Sequence, residues 1–427
     1  MKRTGKSLTI GVVTGLAAAS LVAAQVPAGA AESRGQWSLG EPIVTWYAGR
    51  PSLSDAAAEQ MRAGGWNLVW CSEAELDVAQ RHGLRAMLRD GLLSPATLDD
   101  PARRAALDAL IGRVSKHPAL YSYYLIDEPS ASGFAGLGKL VAYLREKDPE
   151  HFAYINLFPT YANNDQLGTQ GDTVTAYREH LRLYMETVKP DLISYDHYHF
   201  TANGDNDQYF LNLAMVRQAA LDAEVPFLNI VQACTWTPTM RVPNARELRF
   251  LVYTTLAYGA QGLSYFVYSV YMDPAPSDRP LPGFSGGLVD QAGAPTSLGY
   301  AAKRLNREFV AIARELQPLR SLGAYHAGVV PGGGEALPQN SAFRLDPSAS
   351  PAPTKGLLLG CFGKPSRPTH VLVVNLDYTS EVATTLIGPG PLEVFEATGG
   401  RWRPAGGTRV ALKLRPGSGQ LLRIVGG

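Results

Sequence analysis

Short apolar runs alternate with segments of helical periodicity along most of the chain. From residue 43 onward, turn residues bound eight apolar runs, and an amphipathic segment or a long loop follows each of them. Apolar strands that alternate with helices are typical of a parallel sheet covered on both faces. Eight such units in about 290 residues predict an α/β fold of the (β/α)8 TIM-barrel type. The predicted strands are Ile43–Tyr47, Trp66–Cys71, Leu84–Leu88, Leu120–Ile126, Phe152–Phe158, Leu192–Tyr195, Pro226–Val231 and Leu263–Tyr268.

The helical periodicity between these runs predicts the outer layer of the barrel. The clearest predicted helices are Asp55–Arg62, Pro101–Lys116, Gly136–Lys147, Val174–Val188, Gln208–Asp222, Ala245–Tyr258 and Leu298–Leu316. An open doubly wound sheet is the alternative. Such a sheet carries the pattern G-x-G-x-x-G after its first strand when it binds a dinucleotide, and no such pattern follows Tyr47. The sequence therefore favours the barrel.

The pattern changes after Leu322. Residues 329–356 are rich in Pro, Gly and Ser, and short runs of alternating polarity follow. These runs are Gly356–Cys361, His370–Leu376, Ala383–Ile387, Leu392–Ala397, Arg409–Leu414 and Gly419–Val425. Short strands separated by turns predict an all-β sandwich. We expect a barrel over residues 32–322 and a C-terminal β-sandwich over residues 323–427, which either caps the barrel or binds carbohydrate.

Residues 1–31 are organised like a secretory signal peptide. Three basic residues, the last of them Lys6, precede the apolar run Leu8–Ala24, and small residues end the segment at Ala30-Ala31. A membrane anchor is the alternative, but no charged stop follows the run, and no later apolar run is long enough to span a bilayer. We therefore expect a secreted, extracellular protein with no membrane association after cleavage.

The charge balance excludes some partners. The 427 residues carry a formal net charge of +1, and removal of the three basic residues of the leader leaves 1 − 3 = −2. A nearly neutral chain argues against nucleic-acid binding through counterion release and against a polybasic membrane surface. Three cysteines, Cys71, Cys234 and Cys361, are an odd number, and their spacing suits no metal site. We expect buried thiols, with a Cys71–Cys234 disulfide as the alternative. The oligomeric state cannot be inferred.

Polar and aromatic side chains follow the predicted barrel strands. The C-terminal ends of the strands form the active-site face of a (β/α)8 barrel, so these side chains should converge on one rim. Carboxylates, amides and aromatic rings together suit a carbohydrate, whose hydroxyls form hydrogen bonds and whose C–H faces pack on rings. The side chains at the strand ends are Trp46, Tyr47, Trp70, Glu73, Asp90, Asp127, Glu128, Asn156, Asp196, His197, Tyr198, Asn229, Gln232, Trp236 and Tyr268.

The segment Tyr123–Pro129 is the most specific of these signals. An apolar strand ends abruptly in Asp127 and Glu128, and Pro129 stops the strand. Apolar and aromatic walls raise the pKa of a carboxyl group, so Glu128 is a candidate general acid near neutral pH. The alternative is that either acid only caps the following helix.

The segment Ile126-Asp127-Glu128-Pro129 resembles the end of the fourth strand in clan A glycoside hydrolases. Two later stretches, residues 247–266 and residues 287–300, are similar to the last barrel units of family 42-type β-galactosidase relatives. The resemblance implies a clan A-like (β/α)8 hydrolase in which Glu128 is the acid/base. In that family Asn commonly precedes this Glu, and this chain has Asp127 there.

A second departure from the family lies in the seventh strand. Clan A enzymes have a nucleophilic Glu at its end, whereas this chain has Gln232 and no acid. One interpretation is an inverting hydrolase, in which Glu128 and a base lie about 6.5–9.5 Å apart. Another is a retaining hydrolase with a nucleophile about 5–5.5 Å away. A third is a barrel that binds glycan without cleaving it. The candidate second carboxylates are, in order, Asp196, Asp90 and Glu73.

The segment around Asp196 is the next signal. Asp196 could activate water while His197 orients that water or a sugar hydroxyl. A metal site with Asp196, His197 and His199 is an alternative, as is a structural pair of histidines. Side chains alternate along a strand, which places the two histidines on the face opposite Asp196 and weakens a metal site. We expect neither a metal nor another cofactor.

The sequence thus predicts a secreted glycoside hydrolase that cleaves O-glycosidic bonds, with Glu128 as general acid and Asp196 as second carboxylate. Predicted sugar-facing walls are Trp46, Trp70, Trp236 and Tyr268, and predicted hydroxyl ligands are Asn156, Asn229 and Gln232; Glu73, Asp90, Asp127, His197 and Tyr198 complete the substrate-binding set. The competing hypothesis is a catalytically silent glycan-binding barrel, supported by the missing acid of the seventh strand.

Overall fold

The computed structural model of the chain describes residues 42–47, 52–271, 283–347, 354–365 and 367–426. The predicted signal peptide lies outside the described residues. Eight parallel strands form one sheet in the order β1-β8-β7-β6-β5-β4-β3-β2. They are β1 Ile43–Val44, β2 Leu68–Cys71, β3 Arg85–Leu88, β4 Leu120–Asp127, β5 Phe152–Leu157, β6 Ile193–His197, β7 Phe227–Gln232 and β8 Gly262–Phe266.

Helices follow the barrel strands and cover the sheet. They are α1 Asp55–Ala63, α2 Leu76–Arg81, α3 Pro101–Val114, α4 Phe134–Lys147, α5 Asn164–Leu167, α6 Thr173–Thr187, α7 Tyr209–Ala223, α8 Ala245–Ala257 and α9 Ser297–Leu316, with 3-10 turns at Glu73–Glu75, Pro95–Asp99 and Ala131–Gly133. Two-residue strands pair Phe200–Thr201 with Gly204–Asp205 and Cys234–Thr235 with Ser285–Gly286. The predicted (β/α)8 barrel is confirmed.

Asn67 brings the first and second strands together. Its backbone N–H donates to the Val44 carbonyl at 3.0 Å, and its side-chain Oδ1 accepts from the Val44 N–H at 2.9 Å. Without such bonds β1 and β2 would be the two edges of an open sheet. The eight strands therefore form a nearly closed barrel, and the carboxyl ends of all its strands meet at one mouth.

Side-chain alternation divides the barrel into two apolar layers. Tyr47, Trp70 and Tyr154 belong to the cluster inside the barrel. Trp46 and Val69, their immediate neighbours in two of these strands, belong to the larger cluster between the strands and the helices. Successive residues of a strand point to opposite faces, so one-residue differences in position decide which side chains reach the mouth.

The C-terminal region contains two antiparallel sheets. Its strands are β9 Arg320–Ala327, β10 Glu335–Ala336, β11 Arg344–Leu345, β12 Leu357–Lys364, β13 Arg367–Asn375, β14 Val382–Ile387, β15 Leu392–Glu396, β16 Arg401–Pro404, β17 Arg409–Leu414 and β18 Gly419–Ile424. One sheet has the order β10-β9-β12-β13-β18-β15-β16 and the other β11-β14-β17. The two sheets are consistent with the predicted β-sandwich.

The larger of these sheets is buried on both faces. Leu357 and Leu359 face the core between the two sheets, whereas Leu358 and Phe362 join the core of the barrel. At Gly360 the sheet approaches α8 so closely that a Cβ would lie 2.2 Å from the Ala257 carbonyl oxygen. The apolar contact between this sheet and the barrel fits the first expected role of the C-terminal region, a cap packed on the barrel.

The predicted boundary between barrel and sandwich needs a correction. The strand β9 runs from Arg320 to Ala327, so a boundary after Leu322 would divide it. The helix α9 ends at Leu316, and the turn Gln317–Leu319 separates it from this strand. The first three residues of β9 are exposed or half-buried, so no apolar run marks its beginning in the sequence.

The three cysteines all lie within the described residues, are buried and form no disulfide with one another. The alternative Cys71–Cys234 bridge is therefore wrong for this structure. Among the helices of the described ranges, none combines the length and the hydrophobicity that crossing a bilayer requires.

Candidate active site

The end of β4 is irregular, and its irregularity precedes two acidic residues. The pairing of β4 with β5 shifts between Tyr124 and Ile126, and such a bulge re-aims the side chains that follow it. Glu128 has a φ of 45°, in the left-handed region that residues other than glycine rarely adopt. Its N–H still donates to the Asn156 carbonyl at 2.8 Å. Backbone strain of this kind concentrates at functional sites, where surrounding contacts hold it in place.

The Asn156 side chain joins the acids of β4 and β6. Its amide donates to Asp127 Oδ1 at 3.0 Å and to Asp196 Oδ1 at 2.8 Å. Its Oδ1 accepts a hydrogen bond from the Ser194 hydroxyl at 3.1 Å, and the Tyr154 hydroxyl lies 2.6 Å from Ser194 Oγ. Asn156 is buried and both of its amide protons are used. Its orientation is therefore fixed between two carboxyl groups.

Glu128 and Asp196 lie close enough for each carboxyl group to influence the pKa of the other. Asp196 is 2% exposed, and burial raises its pKa well above the usual range, so it keeps its proton at neutral pH. Burial, and after it the charge of Asp127, raises the pKa of Glu128 to about 7. A carboxyl group with a pKa near neutral pH can act as a general acid.

Asp127 is the most open of the three acids. The Tyr47 hydroxyl lies near its carboxylate, and the Tyr124 hydroxyl lies 2.7 Å from the Tyr47 hydroxyl. Trp70 packs on both tyrosines, with ring centroids 4.9 Å from Tyr47 and 4.7 Å from Tyr124. Burial raises the pKa of Asp127, while the hydrogen bond from Asn156 favours its charged form.

Aromatic rings from the ends of β6, β7 and β8 flank the acids. Tyr198 packs edge-on against Trp236 at 4.6 Å and tilts against Phe266 at 5.3 Å. Burial raises the pKa of the Tyr198 hydroxyl, and the nearby acids raise it further. The Tyr198 N–H donates to the Tyr161 hydroxyl at 3.3 Å. The structure thus brings together Asp127, Glu128, Asn156, Asp196, Tyr198, Trp236 and, one layer deeper, Trp70.

Asp196 differs from the second carboxylate that a glycoside hydrolase uses. In retaining and in inverting enzymes that group is ionised when it acts as nucleophile or base. Burial raises the pKa of Asp196 well above the usual range and keeps it protonated, so it does not fit its predicted role as a base.

Trp46 and Tyr268 are not walls of the mouth. Each is 1% exposed, their rings lie 4.9 Å apart, and both belong to the layer between strands and helices. The alternation of β1 explains the error for Trp46, because its neighbour Tyr47 is the residue that points into the barrel.

Glu73 and Asp90, the alternative second carboxylates, serve other contacts. Glu73 begins a 3-10 turn beyond the end of β2 and forms an exposed ion pair with Arg113 of α3, with N–O distances of 2.6 and 3.0 Å. Asp90 is exposed and accepts a hydrogen bond from the Leu92 N–H at 2.8 Å, which closes a turn after β3. Both lie beyond the strand end, where the chain already turns toward the surface.

Three further predicted residues are buried in structural contacts. His197 points away from Asp196 and lies 2.9 Å from Asn212 of α7, as the alternation of β6 requires. Asn229 donates to Thr255 of α8 at 2.8 Å. Gln232 is wholly buried and bonds main-chain groups in two neighbouring loops. None of the three reaches the mouth. Within the described ranges, no group of three or more His, Cys, Asp or Glu side chains converges as a metal site would require.

Several residues near the acids are absent from the predicted site. They are Tyr47, Tyr124, Tyr154, Ser194 and Tyr161. Tyr154 stands two positions before Asn156 and Ser194 two positions before Asp196, so the period of a strand puts each pair on one face. That spacing could have identified both residues. No sequence signal points to Tyr161, which lies in a loop.

No protein-family model and no curated protein matches this chain. Solved structures that are similar to it include a glycoside hydrolase family 5 protein from Bacteroides vulgatus, with a TM-score of 0.54, 11% identity and coverage of 92% of this chain and 95% of that one. Another, described as a glycoside hydrolase, has a TM-score of 0.52, 11% identity and coverage of 92% and 98%.

A β-galactosidase from the psychrophilic Marinomonas ef1 is also similar, with a TM-score of 0.46 and 13% identity. This chain covers 60% of that β-galactosidase, and 65% of its own length takes part in the match. Identities this low show a shared fold. The structural neighbours are (β/α)8 glycoside hydrolases, and the specific relation to family 42 stays a prediction.

Proposed function

We propose that the protein hydrolyses O-glycosidic bonds of an oligosaccharide or polysaccharide, with Glu128 as the general acid. The observation that supports this proposal is the convergence of Asp127, Glu128 and Asp196 at the carboxyl ends of the barrel strands, where Asn156 donates to both aspartates and the pKa of Glu128 is about 7. Enzymes with this barrel have their active sites at this end. The presence of glycoside hydrolases among the structural neighbours fits the same activity. With the predicted signal peptide, we place this activity outside the cell.

Each acid has a distinct role in this proposal. Glu128 protonates the glycosidic oxygen as the bond to the leaving sugar breaks. Asp196 remains protonated, so it adds no negative charge beside Glu128. Asp127 is open to solvent and accepts a hydrogen bond from Asn156 that favours the carboxylate, so its charge can stabilise positive charge that develops on the sugar ring. Asn156 positions both aspartates.

One observation favours a second candidate, a barrel that binds glycan without cleaving it. Gln232 occupies the end of β7, and its side chain is bonded to main-chain groups. In the described part of β7 and β8 no carboxylate is available as a nucleophile. A silent barrel would keep the aromatic rings and amides while lacking a productive pair of acids.

A glycan-panel hydrolysis assay separates these two candidates. We expect the wild-type protein to release sugar from at least one glycan, and Glu128→Gln to lower this rate by about 10²–10⁴-fold because the general acid is lost. Glu73→Gln is the matched control, since it makes the same change in an exposed ion pair. NMR of the product anomer would then give the stereochemistry. Binding that is equal in wild type and Glu128→Gln, with no release by either, would overturn hydrolysis and support the silent barrel.

A further inference from the structure

We propose that Tyr161 contacts the substrate directly, as a fixed aromatic platform for a sugar ring next to Glu128. This inference rests on the proposed function and adds a substrate-binding residue to the same site. It begins from exposure: the Tyr161 side chain, in the loop between β5 and α5, is 40% exposed. Its hydroxyl is turned inward, toward the backbone N–H of Tyr198, two residues after Asp196.

Two contacts hold the ring in one orientation. The Tyr161 hydroxyl accepts a hydrogen bond from the Tyr198 N–H at 3.3 Å, directly after the strand that carries Asp196. The ring packs edge-on against His197, with 4.9 Å between the ring centroids. An exposed tyrosine is ordinarily free to change rotamer, whereas this one is fixed at its hydroxyl and along its ring.

A buried polar network supports both of these contacts. Asn212 of α7 accepts a hydrogen bond from the Thr160 N–H at 3.0 Å, and Thr160 immediately precedes Tyr161. The same Asn212 oxygen lies 2.9 Å from His197 Nδ1, and its amide donates to the Tyr177 hydroxyl at 3.0 Å. Burying these polar groups is unfavourable unless they are satisfied by one another. Together they fix the backbone before Tyr161 and the imidazole against which its ring packs.

A ring fixed in this way suits a sugar. Because Tyr161 accepts from a backbone N–H, its own hydroxyl proton remains available for a sugar oxygen. The open part of the ring offers an apolar surface for the C–H face of a pyranose. The ring is already ordered, so binding loses little side-chain entropy at this residue. Its place beside the acids puts the bound sugar at the bond that Glu128 would protonate.

The test compares Tyr161→Ala and Tyr161→Phe on the glycan that the wild type cleaves. We expect Tyr161→Ala to raise KM by about tenfold or more with a smaller change in kcat, since stacking contributes to ground-state binding. Tyr161→Phe keeps the ring and should raise KM by about two- to fivefold. Tyr143→Ala is the control for loss of a ring, because the half-buried Tyr143 packs between the outer helices, where it bonds Asp108 of α3. Thermal melting of each variant checks the fold.

The outcomes separate this inference from the proposed function. If a glycan is cleaved in a Glu128-dependent way and Tyr161→Ala behaves like Tyr143→Ala, the platform is overturned and hydrolysis stands. If no glycan is cleaved, binding to Glu128→Gln is measured with and without Tyr161→Ala. Loss of that binding supports the platform and leaves hydrolysis overturned. Absence of both cleavage and binding across the panel overturns both proposals.

Discussion

The ends of β5 and β7 are alike in the sequence and different in the structure. Each strand ends in an amide side chain, Asn156 in β5 and Gln232 in β7, and the sequence predicts a sugar ligand in both cases. Both side chains are buried, at 1% and 0% exposure. Asn156 donates to two carboxyl groups, whereas Gln232 accepts from the Phe200 N–H at 2.8 Å and donates to the carbonyls of Phe200 and Arg241 at 3.0 and 2.7 Å.

The partners of each amide determine its role. Main-chain groups cannot change their charge, so the amide of β7 can only tie two loops together. Carboxyl groups can gain or lose protons, and an amide that donates to them favours their charged forms. A polar residue at a strand end therefore belongs to the reactive part of this barrel when its own partners are ionisable side chains. The predictions below test this distinction, beginning with the largest expected effect.

Of the two amides, Asn156 should affect the reaction more when it is replaced by leucine. The change removes hydrogen bonds to Asp127 and Asp196 while keeping a similar volume. We expect kcat/KM on the cleaved glycan to fall by about 10²–10³-fold, as is usual when a fixed donor to a charged reacting group is lost. Circular dichroism would establish that the variant is folded. A folded variant with nearly wild-type kcat/KM would contradict the role of Asn156 in the reactive site and leave it structural, like Gln232.

Replacement of Gln232 by leucine should affect stability and leave the reaction largely intact. Three buried main-chain bonds are lost, each leaving a polar group unsatisfied. We expect the free energy of unfolding to decrease by about 2–4 kcal/mol in denaturant titrations. At a temperature where the variant is folded, kcat/KM should stay within about fivefold of wild type. A large loss of kcat/KM in a fully folded variant would give Gln232 a role in the site.

The periodicity of the sequence was sufficient for the fold. The predicted helices Asp55–Arg62 and Ala245–Tyr258 differ from α1 and α8 by one residue each, because their apolar stripes end where the helices end. The predicted strand Arg409–Leu414 matches β17, where exposed and buried residues alternate without exception. Long, regular patterns reflect the burial of successive side chains. Elements with such patterns can therefore be predicted without knowing which elements pack beside them.

The site could be predicted only in part. Glu128 stands out in the sequence because an apolar strand ends in two acids and a proline. The positive φ that re-aims it, and its proximity to Asp196 from β6, depend on how three strands pack side by side. The errors have the same origin: Trp46 and Asn229 follow the strand pattern correctly but lie on the face that meets the helices. Tyr161 required the loop geometry itself.

The pH dependence of the free energy of unfolding should distinguish a buried carboxyl group, such as that of Glu128, from an exposed one. The variant for this test is Glu128→Gln. In the folded protein the pKa of Glu128 is raised from 4.5 to about 7. Between these values the folded state keeps a proton that the unfolded chain has released, so wild-type stability falls as pH rises through this window. Glu128→Gln lacks this dependence. The difference in free energy of unfolding, variant minus wild type, should therefore increase by about 1–3 kcal/mol from pH 4 to pH 8.

Glu73→Gln is the control for that experiment and should show the opposite sign. The Arg113 guanidinium lowers the pKa of Glu73, so this carboxylate stabilises the folded state above its unfolded pKa, and the contribution is lost as pH falls. Relative to wild type, Glu73→Gln should be slightly less stable at pH 8 than at pH 4. Equal pH dependence in the two variants would contradict the burial of the Glu128 carboxyl group.

The smallest effect concerns Asp127 and the pH dependence of the reaction. Glu128 must be protonated to act as an acid, so kcat/KM of the wild type should decrease as pH rises through about 7. The negative charge of Asp127 raises the pKa of Glu128, and Asp127→Asn removes this charge. We expect the decrease in kcat/KM to move to lower pH by about 0.5–1 unit, whatever the change in its maximum. Asp90→Asn removes an exposed acid that closes a turn and should leave the midpoint in place. If both variants keep the wild-type midpoint, the charge of Asp127 does not act on the acid that limits the reaction, and Glu128 loses its assignment as that acid.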